Sequence, residues 1–140
     1  MLTSALLAER LRVAVGRLAR RLRQHSVGDL TPSQSSVLAT LDRRGPASMS
    51  RLAEIEAISR PSTTGIVSRL IEKGLVVRRD DPDDGRSTIV AITPPGSKLL
   101  QQRREERTAF LAMALESLTD DERLVLARAA ELIERITAEG

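Results

Sequence analysis

The chain contains no cysteine, tryptophan or tyrosine, a single histidine (His25) and a single aromatic ring (Phe110). Without thiols there are no disulfides, no thiolate metal sites and no thiol-based redox sensing. One histidine without cysteine is a poor start for a transition-metal site, so no metal is expected. No glycine-rich phosphate loop and no nucleophile–base pair stand out, which argues against an enzyme, and no cofactor is expected. One phenyl ring offers little for stacking unpaired bases. No apolar run approaches the ~20 residues of a membrane helix. The start, Met1 to Ala8, lacks a basic segment and meets Glu9 and Arg10 at once, unlike a signal peptide. These absences are compatible with a cytoplasmic protein that has no membrane partner.

What is present suits helix-on-helix packing: 41% of the residues are apolar, and Leu, Val, Ile and Ala must supply the core. A chain of 140 residues fits one domain, 1–140. The formal charge is +3, and the basic residues are 20 Arg against 2 Lys. The guanidinium fork matches phosphates and guanine edges. A GC-rich coding bias gives the same ratio, so where the arginines stand carries more than their number.

Periodicity and breakers set out the elements. Leu7, Leu11, Ala14, Leu18 and Leu22 make one apolar stripe along a helix at 2–25. Thr31-Pro32 opens a second helix that Gly45-Pro46 stops. A short third helix follows Ser48. Ser59 or Arg60 leads into a fourth, which ends at Gly74. The β-branched runs Leu75 to Arg79 and Ser87 to Ile92, joined by a Pro/Asp/Gly turn, read as a hairpin. A long helix is expected at 96–117. A last helix follows the capping box Thr119/Glu122, with Val125, Ala129, Leu132 and Ile136 on one stripe. The fold class is mainly α with a small β-hairpin wing: a winged helix-turn-helix (31–94) flanked by terminal dimerisation helices (1–30 and 95–140). The terminal stripes exceed what a small lobe can cover, so Leu7, Leu11, Leu118, Val125, Leu132 and Ile136 are assigned to a homodimer interface.

The fourth helix has two faces. Thr63, Ile66, Val67, Leu70 and Ile71 cluster inward; Pro61, Ser62, Gly65, Ser68, Arg69 and Glu72 fall outward. Small hydroxyl side chains near a helix N-terminus let it approach DNA and meet phosphates and base edges. An ordinary solvated face has the same composition. Gly65 tilts the choice, because a mid-helix glycine costs about 1 kcal/mol relative to alanine and a close partner offsets that cost. Arg86 sits at the hairpin tip among aspartates. It is either a surface ion pair or an arginine oriented toward a minor groove.

The stretch Ser59-Arg60-Pro61-Ser62-Thr63-Thr64-Gly65-Ile66-Val67-Ser68-Arg69-Leu70-Ile71-Glu72-Lys73-Gly74-Leu75-Val76-Val77-Arg78 resembles the recognition helix and first wing strand of the MarR (multiple antibiotic resistance regulator) family. Asp81-Pro82-Asp83-Asp84-Gly85-Arg86 and Ile92-Thr93-Pro94-Pro95-Gly96 are similar to its wing signature and the helix start that follows. The resemblance implies a homodimeric regulator that places its fourth helix in the major groove and its wing in the minor groove of a pseudo-palindromic double-stranded DNA operator. It implies, as for many members, a repressor released by a small phenolic or amphipathic ligand. Carried onto this chain, the DNA-binding set is Arg60, Pro61, Ser62, Thr63, Thr64, Gly65, Ser68 and Arg69 in the helix, with Asp84 and Arg86 in the wing. Thr63 leans inward on a helical projection. Gly65 and Gly85 stand where relatives often carry basic side chains. The alternative is a winged helix that binds proteins and no operator, for which a shallower salt dependence is expected.

Three basic groups remain. His25 is expected to cap its helix C-terminus; with Arg17 and Arg21 it is also a candidate ligand edge, the cluster Arg17, Arg20 and Arg21 being either an anion site or a solvated face. Arg103-Arg104-Glu105-Glu106-Arg107 reads as a solvated stretch laced by ion pairs.

Overall fold

In the computed structural model, residues 1–26, 28–83, 85 and 87–138 are described. In chain order they form α1 (Ser4–Gln24), α2 (Pro32–Arg44), β1 (Ala47–Ser48), α3 (Met49–Glu56), α4 (Arg60–Glu72), β2 (Val76–Asp80), β3 (Thr88–Ile92), α5 (Pro94–Leu115) and α6 (Asp120–Ala138). These fall into two compact units, Val27–Arg104, and Met1–Ser26 with Glu105–Gly140.

Hydroxyl caps begin every helix of the first unit before α5. The Thr31 side chain accepts from the Gln34 N–H at 3.1 Å while Gln34 accepts from the Thr31 N–H, closing a capping box. The Ser48 side chain caps α3 and the Ser59 side chain caps α4 without the reciprocal bond, each accepting from an N–H that the helix leaves unpaired. Val37, Leu38 and Leu41 of α2, Leu52 of α3, and Val67 and Leu70 of α4 meet Val76 and Val90 of the sheet in one dry core. The sheet is antiparallel in the order β1-β3-β2. Its first strand, two residues long, is too short to leave a periodic signal, and the expected hairpin is therefore a three-stranded sheet, with Ala47 opposite Val90 and Ser48 opposite Ile89.

The long helix starts at Pro94, two residues before its expected start, since proline suits a first helical turn and the Thr93 hydroxyl accepts from the Gly96 N–H. Gly96 is buried against the Leu75 backbone. The arginine-rich stretch departs from the solvated face expected of it. Arg103 is 6% exposed and donates to the Gly28 carbonyl and the Ser35 hydroxyl. Arg104 pairs with Asp42, and Arg107 donates to Ser26. Guanidinium groups on long stems reach neighbouring elements that a single-helix projection does not contain.

The second unit contains α1, α6 and α5 from Glu105 onward. The Thr119/Glu122 box opens α6 as expected. Among its described residues none is buried. Leu7, Leu11, Val15 and Leu18 of α1, and Leu124, Val125, Leu126, Leu132 and Ile136 of α6, stand exposed.

One backbone feature lies at the turn into α4. Ala57 holds φ 55° and ψ 42°, the left-handed region where a Cβ is costly. Ala57→Gly is expected to raise unfolding free energy by about 0.5–1 kcal/mol in a denaturant titration. A fall would mean the turn gains from the alanine side chain.

Candidate nucleic-acid interface

α3, the Ala57-Ile58-Ser59 turn and α4 form the helix-turn-helix, and β2–β3 follow as a wing. Pro61, Ser62, Thr64, Gly65 and Arg69 are exposed on α4, and Ser68 is half-exposed. The candidate set is thus brought onto one face, with one correction. Thr63 is fully buried (0% exposed), on the same inner face as the core positions Val67 and Leu70, and its hydroxyl donates to the Ser59 carbonyl at 2.9 Å. It anchors the helix and offers nothing to a partner.

The polar groups on the outer face are pre-set. Ser59 donates to the Ser62 hydroxyl at 2.8 Å, so the proton of Ser62 is left free to donate outward. Thr64 donates to the Arg60 carbonyl, leaving its oxygen lone pairs as acceptors. The Arg69 guanidinium has no partner among the described residues. Among the described residues nothing lies within 4 Å of a Cβ built on Gly65, so their packing does not demand glycine there.

Arg60, the first residue of α4, is held at 2.9 Å by the Ser50 hydroxyl of α3. Sequence reading missed Ser50 because the pair spans two helices. Arg78 and Arg79, exposed on β2, are further cations outside the expected set. Asp84 and Arg86, the expected wing pair, lie outside the described residues. Beside them Asp81 accepts from the Asp83 N–H at 2.9 Å, a turn that the Asp/Pro/Gly composition predicts.

The expected ligand residues separate. His25 is the C-cap residue of α1, where its backbone N–H donates to the Leu22 carbonyl, and its ring stacks on Phe110 at 3.8 Å between centroids. The Arg21 guanidinium lies 5.7 Å from the same ring. Arg17 instead lines a shallow groove with Leu6, Arg10 and Val13. Phe110 is not among the ligand residues expected from sequence, since a lone aromatic carries no spacing signal.

A capped helix-turn-helix with an exposed, hydroxyl-rich second helix and a following strand pair defines the class: a winged-helix DNA-binding protein. The model of the MarR family matches residues 30–88. The chain is 36% identical over 132 residues to a helix-turn-helix-type transcriptional regulator of Mycobacterium leprae, covering 94% of this chain and 92% of that one. A solved transcriptional regulator of Pseudomonas aeruginosa is 31% identical, with a TM-score of 0.83 over 99% of each chain. The PcaV transcriptional regulator of Streptomyces coelicolor, solved with its natural ligand, is 25% identical, with a TM-score of 0.57 over 96% of this chain and 92% of that one. The chain belongs to the MarR family: it is a DNA-binding transcriptional regulator and not an enzyme. No described helix is long and apolar enough to cross a membrane.

Proposed function

We propose that the chain is a homodimeric, operator-specific repressor that a small ligand releases from DNA. The observation that carries the DNA reading is the outer face of α4, where Ser62, Thr64, Gly65 and Arg69 are exposed on a helix whose inner face is locked into the core. Hydroxyls and a bare glycine allow close approach to base edges, and Arg69 supplies charge. The dimer reading rests on the apolar stripes of α1 and α6, which remain exposed on the single chain. For such a dimer, operator half-sites are expected one helical turn apart, about 34–36 Å. Asp84 and Arg86 remain the proposed wing contacts, on sequence grounds. The ligand reading rests on the gathering of Phe110, His25 and Arg21, which suits an aromatic anion: a ring to stack on and a cation beside it. That PcaV was solved with a natural ligand supports looking for one.

The test is an anisotropy titration against the duplex upstream of the chain's own coding sequence, beside a scrambled duplex. Between about 50 and 200 mM salt, affinity is expected to fall roughly 10³- to 10⁵-fold if ~6–10 phosphates are neutralised. Arg69→Ala is expected to cost about 1–3 kcal/mol on the specific duplex with folding unchanged. Absence of binding at low salt would overturn the operator reading in favour of a protein partner.

A further inference from the structure

We propose that Glu56 is the positioning residue of the recognition helix: its carboxylate clasps α2 and thereby sets the angle at which α4 leaves the turn. The proposal rests on α4 being the DNA-reading element, as argued above.

Glu56 is the last residue of α3, where a negative charge faces the negative end of the helix dipole and nothing in the helix itself favours it. Its partners lie on α2. The Ser36 hydroxyl donates to one carboxylate oxygen at 2.8 Å and the Thr40 hydroxyl to the other at 2.9 Å. Thr40 is 4% exposed, so water does not replace that acceptor. No lysine or arginine pairs with Glu56 among the described residues; the carboxylate is held by hydroxyls alone.

The geometry of α2 makes this grip directional. Ser36 and Thr40, four residues apart, share one face of α2, and both meet Glu56. Ser35 and Asp42, seven apart, share another face, turned to α5. There Arg103 donates to Ser35, while Ser97 and Arg104 donate to Asp42. α2 is therefore fixed to the first half of α5 on one side and holds α3 on the other. Three residues after Glu56, Ser59 caps α4. The apolar attraction between these helices is non-directional and does not by itself single out one angle. Two charge-assisted hydrogen bonds at fixed angles cost more to rotate. Tilting α3 about α2 swings the N-terminal turn of α4, where Ser62 and Thr64 stand.

A purely structural role and a positioning role predict different results. The readout is the ratio of affinities for two duplexes of equal length: one selected by the parent protein from a randomised pool, the other scrambled. Glu56→Ala is expected to lower affinity for the selected duplex at least tenfold, leaving scrambled-duplex binding and its salt slope unchanged. Glu56→Gln is expected to stay within threefold of the parent, because its carbonyl accepts from one hydroxyl and its amide donates to the other. Melting curves establish that each variant is folded at the titration temperature. Should Glu56→Ala melt below it, the Ser36→Ala/Thr40→Val double variant carries the same test from the α2 side. An unchanged ratio in either variant overturns the proposal, as does a Glu56→Gln variant as impaired as Glu56→Ala. Failure of the parent to select any duplex is a separate result, and it overturns the operator reading itself.

Discussion

Val125→Asp is expected to break the proposed dimer into monomers, halving the mass seen by light scattering to about 15.3 kDa. Val125 is 67% and Ile136 66% exposed, and their unit buries none of its described side chains. An apolar surface of that extent on a single chain marks an interaction site. Burying an unpaired carboxylate in such an interface costs several kcal/mol, and symmetry places one on each side. Each 1.4 kcal/mol is a factor of ten in dissociation constant, so two charges are expected to move it by at least about a thousandfold. Operator affinity then falls with it, because a monomer engages one half-site. A variant that stays dimeric at micromolar concentration would refute the assignment of this face.

The second large effect concerns two helical glycines for which opposite outcomes are expected. Gly96→Ala is expected to destabilise the protein by about 1–3 kcal/mol, because the new Cβ collides with the Leu75 carbonyl oxygen and presses the Ile92 side chain. The backbone oxygen has little freedom to move, since the Leu75 carbonyl accepts from the Thr93 N–H at 3.0 Å. Gly65→Ala meets open space and is expected to stabilise by about 1 kcal/mol through helix propensity alone. If DNA approaches α4 closely at Gly65, the same substitution lowers operator affinity while raising stability. Paired denaturation and binding curves read both quantities. A Gly96→Ala protein as stable as the parent would show that α5 can slide off the Leu75 backbone.

Much of this architecture is legible in the sequence, for definite reasons. The helix starts are announced by Thr31-Pro32, Ser48, Ser59 and Thr119, whose side chains accept from backbone N–H groups three residues on. The two faces of α4 follow from a 3.6-residue period, and all the inner residues predicted are at least half-buried. Contacts between elements are less legible. Arg103 looks solvated on its own helix and is buried by α2 and the Gly28 carbonyl. Ser50 meets Arg60, and Glu56 meets Ser36 and Thr40, across separations of 10 to 20 residues that no local pattern encodes. Phe110 finds His25 for the same reason. Thr63 shows the limit from the other side: the projection turned it inward, whereas carry-over from a family motif placed it on the surface.

The two-residue strand β1 has a mechanical consequence. By pairing Ala47 and Ser48 with β3, it rivets the threshold of α3 to the base of the wing. The helix-turn-helix and the wing are thus one stiff tool rather than two fingers. A force that lifts either from a duplex is transmitted to the other, so release is expected to be a single concerted event with one dissociation rate.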